Sequence, residues 1–139
     1  MDDIIRWLCD FAFDHQIAVT LNSLSFGQNV PSCMYGRSII VNLNWENRDE
    51  LPFIFAHEIG HVLNEDEGTF YYSTATAHSK IEAAANERAI NLLLDYCKSE
   101  DLLPRNYIEF MELYGIPRQM EEKVKKCFIC ADDQIYSVY

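Results

Sequence analysis

No stretch of the chain stays apolar for anything near the ~20 residues that a membrane-spanning helix needs, which excludes a helical membrane protein. Positive charge is scarce: 11 Lys+Arg stand against 22 Asp+Glu in 139 residues, a formal net charge of −11. Phosphate backbones are held by basic surfaces, so this balance speaks against direct nucleic-acid binding. Proline (4) and glycine (5) are few, and no Pro/Gly/Ser-rich linker, repeat or low-complexity stretch divides the chain. One domain over residues 1–139 is expected. Met1-Asp2-Asp3 lacks the basic residues of a signal peptide, so the expected compartment is the cytoplasm. Five cysteines are an odd number in a chain long enough to fold without staples. They are expected to be buried thiols, the Cys127-Phe128-Ile129-Cys130 pair included. What the chain does have is 49% hydrophobic residues, with eight Phe, eight Tyr and two Trp, enough for a packed core.

Apolar residues at helical spacing (Ile4, Ile5, Leu8, Phe11, Ala12) predict a helix over residues 2–14. The β-branched run Ile17–Leu21 predicts a strand, and Ser38–Asn44 a second one paired with it, with a loop over 22–36. Asp49 is the expected N-cap of a helix that runs to about Leu63. Pro52 fits only its first turn, where a missing N–H leaves no intrahelical bond unmade. An acidic, then Tyr-rich loop of about a dozen residues follows. A third helix is expected over roughly Ser79–Tyr96, and two more near Tyr107–Leu113 and Pro117–Phe128 flank Gly115-Ile116-Pro117. Gln134–Tyr139 reads as a short last strand or a frayed end.

The segment that carries chemistry is His57-Glu58-Ile59-Gly60-His61, in the middle of the second helix. Residues i and i+4 share a helical face, so both imidazoles can address one cation. Glu58 lies about 100° round the helix, where it can reach a water at that cation without binding the metal itself. Two histidines and a carboxylate on so apolar a helix carry a desolvation cost that a metal removes. A catalytic zinc has three protein ligands, and the candidates for the third are Glu82 and His78. Glu82 and Asn86 share a face of the third helix, and Ala83, Ala84 and Ala85 between them allow close packing on the histidine helix. Asn86 could then bond an imidazole N–H and fix its tautomer. Against Glu82 stands a capping-box reading of Ser79-x-x-Glu82, which disappears if the helix begins at Thr76.

At these residues the sequence resembles the ImmA/IrrE family of small zinc metallopeptidases, in particular the short members carried by phages and other mobile elements. The resemblance rests on Ile39-Ile40-Val41-Asn42, on Phe55-Ala56-His57-Glu58-Ile59-Gly60-His61-Val62-Leu63, and on Lys80-x-Glu82-x-x-Ala85-Asn86-x-x-Ala89-x-x-Leu92-Leu93. It covers residues 37–95, and Arg88 stands where the family usually has an aromatic. It implies one Zn2+ per chain on His57, His61 and Glu82, with Glu58 as general base, the gluzincin-like pattern. It further implies a protein substrate, typically a helix-turn-helix repressor encoded beside the peptidase, whose cleavage releases silenced genes.

The expected fold is α+β: a small antiparallel sheet packed on a helical bundle, a zincin-like HExxH helix, and a Glu ligand from a second helix. Its core spans 37–96. A C-terminal helical segment over 104–130, only faintly like a helix-turn-helix, is expected to pack or to dock a partner. The Ser38–Asn44 strand could hold an extended substrate by edge pairing, and Tyr71, Tyr72 and His78 are possible oxyanion or substrate contacts. The rival function is a non-proteolytic, zinc-stabilised module that sequesters a repressor or a toxin–antitoxin-type partner. Glu58 speaks against it, since a closed structural zinc site has no use for that carboxylate.

Overall fold

The structure, a computed structural model, describes residues 2–22, 27–66 and 75–136. Helix α1 (Asp2–Asp14) buries Ile4, Leu8 and Ala12 on one face, as its four-residue apolar spacing requires. Strands β1 (Ala18–Asn22), β2 (Cys33–Tyr35) and β3 (Ser38–Asn42) follow, then a 3₁₀ turn over Arg48–Glu50 and helix α2 (Leu51–Leu63). Helices α3 (Ala75–Ser99), α4 (Tyr107–Tyr114) and α5 (Glu121–Tyr136) complete the chain, with a second 3₁₀ turn over Arg118–Met120. The α+β class is as expected, and no described helix is long and apolar enough to cross a membrane.

The sheet differs from expectation in one respect: it is mixed, not antiparallel. Its order is β1-β3-β2, with β1 parallel to β3 (Ala18 beside Ser38) and β2 antiparallel to it (Tyr35 beside Ser38). β2, which lies inside the expected loop, forms a hairpin with β3 across Gly36-Arg37, where Gly36 supplies a positive φ of 59°. That hairpin inserts β3 between its predecessors, so β3 has neighbours on both sides and offers no open edge to a substrate. β2 is an edge strand instead. Apolar alternation looks the same in either strand direction, which is why direction was not legible.

Asn42, fully buried in β3, has all its polar groups engaged. Its amide Nδ2 donates to the Gly27 and Val30 carbonyls (3.0 and 2.7 Å), its Oδ1 accepts from Asn44 N–H, and its own N–H donates to Ser32 Oγ. One buried amide thus moulds the 27–32 segment that leads into β2.

α2 is buried on almost every side, from Leu51 and Pro52 to Val62, and forms the centre of the core between the sheet and α3. The 3₁₀ turn that leads into it is capped two residues earlier than expected, by Asn47 Oδ1 accepting from Asp49 N–H, while Glu50 at the start of α2 makes no side-chain cap bond and Pro52 occupies the first helical turn. α3 places Ala85, Ala89, Ile90, Leu93 and Leu94 against this core; Ala83 and Ala84 are exposed, so of the three alanines only Ala85 makes the close packing. The contact is tight at Gly60: a Cβ there would lie 2.8 Å from the Ala85 carbonyl oxygen and 3.1 Å from Arg88 Cβ. Arg88, where an aromatic was expected from the family pattern, donates from Nε to Asn64 Oδ1 (2.7 Å) at the end of α2.

The C-terminal helices pack rather than protrude. Phe110, Met111 and Tyr114 of α4 and Val124, Phe128 and Ala131 of α5 are all buried. α4 begins at Asn106, whose Oδ1 accepts from Glu109 N–H, and ends at Gly115 in the left-handed conformation (φ 69°). α5 continues to Tyr136, so residues 134–136 of the expected strand or frayed end are helix, while residues 137–139 lie outside the described residues. The cysteines also differ from the expected uniform burial. Cys97 is buried, Cys9, Cys33 and Cys127 are half-buried, and Cys130 is exposed because it faces outward from α5.

Candidate metal centre

His57 and His61 project from one face of α2, and their Nε2 atoms approach to 3.0 Å. Glu82, from α3, reaches both: one carboxylate oxygen lies 2.9 Å from His57 Nε2 and the other 3.1 Å from His61 Nε2. The glycine-to-alanine approach of Gly60 and Ala85 brings α3 close enough for this, since Glu82 lies one turn before Ala85. Because α3 begins at Ala75, Ser79 is interior to the helix and the capping-box role for Glu82 does not arise. Two imidazole nitrogens and a carboxylate, with ligand atoms within 4.8 Å of one another, form a potential metal-binding triad.

The electrostatics follow from burial and pairing. Hydrogen bonds to His57 and His61 hold the Glu82 carboxyl far below the usual carboxylate range. His61 is fully buried, which by itself lowers an imidazole's pKa, but hydrogen bonds to Glu82 and Asp66 outweigh this and raise it to about 9. Glu58 is 6% exposed, and burial lifts its pKa to about 7, with Glu82 adding to the rise and the two histidines opposing it. Its Oε2 is buried and makes no hydrogen bond, and neither does His57 Nδ1. Such orphaned atoms are uncommon in a folded interior. A buried carboxylate oxygen without a partner beside converging ligand nitrogens fits a centre that takes a cation and a water. The donor set of two imidazoles and one carboxylate suits zinc.

Asp66 is a candidate site residue that sequence reasoning missed. Its Oδ2 lies 3.0 Å from His61 Nδ1, where it orients the ring whose Nε2 faces the triad. The available signal was an acidic side chain just past the end of the histidine helix, in a run that also holds Glu65 and Glu67. Asn86 lines the cleft over the site with His57, Glu58 and Glu82 but does not make the expected imidazole bond: His57 Nδ1 has no partner and His61 Nδ1 pairs with Asp66. His78 belongs to α3, but its side chain lies outside the described set, as do residues Tyr71 and Tyr72 altogether. The other walls of that cleft come from Pro31, Ser32, Trp45, Phe53, Ile54 and Met120, none of which carried a sequence signal.

An α+β domain that gathers an HExxH helix and a glutamate from a neighbouring helix around one point has the architecture of a metallopeptidase. The chain belongs to the Peptidase_M78 family: the profile of its IrrE N-terminal-like domain matches residues 15–123. This is the family to which the motifs pointed, and a peptidase family implies a protein or peptide as substrate. No curated protein and no solved structure gives a match.

Proposed function

We propose that the chain is a zinc-dependent metallopeptidase of the gluzincin-like pattern that hydrolyses a peptide bond in a protein partner. One domain carries the activity. His57, His61 and Glu82 hold a single zinc ion, Glu58 is the catalytic base, and Asn86 supports the site from the cleft wall. The observation that carries the reading is the convergence of both Nε2 atoms and the Glu82 carboxylate beside the buried, unpaired Oε2 of Glu58. When bound, zinc supplies Lewis acidity, polarising the scissile carbonyl and easing ionisation of the attacking water near neutral pH. Glu58 takes the proton of that water and passes it to the leaving amine nitrogen. An extended peptide finds an edge in β2, whose Cys33 lies close enough to Glu58 for the carboxylate's charge to raise the thiol's pKa after burial has done so. The resemblance to short mobile-element members makes the partner a helix-turn-helix repressor in the cytoplasm and the activity anti-repression.

The test is metal content. Protein purified without chelator is expected to carry about one zinc per chain, and Glu82→Ala to weaken binding by about 10²-fold or more. A well-folded native protein that takes up no zinc when it is supplied would overturn the proposal. Asp66→Ala is expected to weaken zinc binding by about 10–100-fold, the range for partners of ligating histidines, with the circular dichroism of the native fold retained. Competition with a chromophoric chelator measures both.

A further inference from the structure

Phe53 and Ile54 stand one helical turn before His57 and Glu58, so the metal-facing side of α2 continues directly into an apolar wall. The Phe53 and His57 rings are 6.0 Å apart, centroid to centroid. Trp45, arriving from β3, and Met120, from the 3₁₀ turn before α5, enclose the same cleft, whose volume is about 340 Å³. That is near the low end of small-ligand pockets, about 300–1,000 Å³, and is room for a large side chain rather than a long one. The cleft's carboxylates are Glu58 and Glu82, beside the triad, and Glu50, two helical turns before Glu58.

Glu50 also lines a second, larger cavity of about 750 Å³ between the start of α2 and the α4–α5 connection. The two cavities adjoin there and across the 3₁₀ turn, where Met120 faces the first and its neighbours Gln119 and Glu121 face the second. Asp49, Glu50, Glu112 and Glu121 line this second cavity against one cation, Arg118. Four carboxylates against one guanidinium make a field that attracts cations and rejects anions. A substrate with one side chain beside the triad therefore meets an apolar enclosure first and an acidic one next.

From this juxtaposition we infer that the cleft selects a peptide segment in which a bulky apolar residue is flanked by a basic one. The apolar side chain fills the Trp45–Phe53–Ile54–Met120 enclosure, and the Lys or Arg reaches past Glu50 into the acidic cavity. Hydrolysis of that segment rests on the peptidase reading above; its selection does not.

The experiment uses the zinc-supplied protein and four blocked peptides of one frame, with a central Leu-Lys, Ala-Lys, Leu-Glu or Ala-Glu pair. Binding is read from Trp45 fluorescence in a Trp7→Phe background, and fragments are read by mass spectrometry with the native protein. Leu-Lys is expected to bind about 10-fold or more better than Ala-Lys, because the apolar enclosure is left unfilled by Ala. It is expected to bind about 10-fold better than Leu-Glu at low salt, with that margin shrinking as ionic strength rises. Glu112→Lys, on the exposed face of α4, is expected to remove the Lys-over-Glu margin and keep the Leu-over-Ala one. Equal binding of all four peptides, or a preference for Glu, overturns the inference. Selective binding without fragments supports the inference and overturns the peptidase reading. Fragments formed from all four at equal rates do the reverse.

Discussion

Glu58→Gln is expected to keep its zinc and lose its turnover. The substitution preserves the size of the side chain and its place on α2, and it touches none of the atoms that converge on the metal. His57, His61 and Glu82 hold one another at 2.9–3.1 Å without help from Glu58. What disappears is the proton acceptor. A carboxamide cannot take a proton from water, and a positioned general base contributes about 10²–10⁴ in rate. A fall of about 10³-fold in the rate of fragment formation is therefore expected, at unchanged metal stoichiometry. Without a cation in the site, burial lifts the native carboxyl's pKa to about 7 against the pull of the two histidines, and a cation beside it favours the ionised, proton-accepting form. An uncharged Gln is also easier to bury there, so thermal stability should not fall. Full turnover by the variant would show that Glu58 is not the base.

Gly115→Ala is expected to be the most damaging Gly→Ala change among the described glycines. Gly115 closes α4 with φ at 69°, a conformation that costs an L-residue about 1–2 kcal/mol. It is also the point at which α4 meets the entrance of the histidine helix. An added Cβ would lie 2.1 Å from the Asp49 carbonyl oxygen and 2.6 Å from Glu50 Cα, both backbone atoms that have nowhere to rotate. The 3₁₀ turn and α4 must separate, disturbing Met111 and Ile116 behind them. Together these terms amount to about 3–4 kcal/mol, or a Tm lower by about 10 °C in a chain of this size. Thermal unfolding monitored by circular dichroism measures it. Because that turn also carries Glu50, weaker peptide binding is expected to accompany the loss. A Tm within a degree or two of native would contradict the close contact.

The sequence alone was sufficient for what is encoded locally. The helix around His57 and His61 was legible because an i, i+4 pair, Pro52 in the first turn and a continuous apolar run all describe one helix. The α1 stripe of Ile4, Leu8 and Ala12, and the α4 helix between Asn106 and Gly115, were legible for the same reason: their signals lie within a turn or two of the residues they organise. Glu82 was legible as a candidate, since a carboxylate at the right face of a second helix is a local pattern, but its competing role as a helix cap was removed only by where α3 begins.

What required the tertiary structure is everything set by neighbours distant in the chain. The parallel pairing of β1 with β3 depends on β3 lying between β1 and β2, and alternation carries no direction. The cleft wall needs Met120 from one end of the chain, Trp45 and Phe53 from its middle and Pro31 from the sheet loop, four residues that no periodicity relates. Helical spacing specifies which side chains share a face; which faces then meet is settled by packing, here by one glycine, Gly60, that lets α3 approach close enough for Glu82 to reach both histidines.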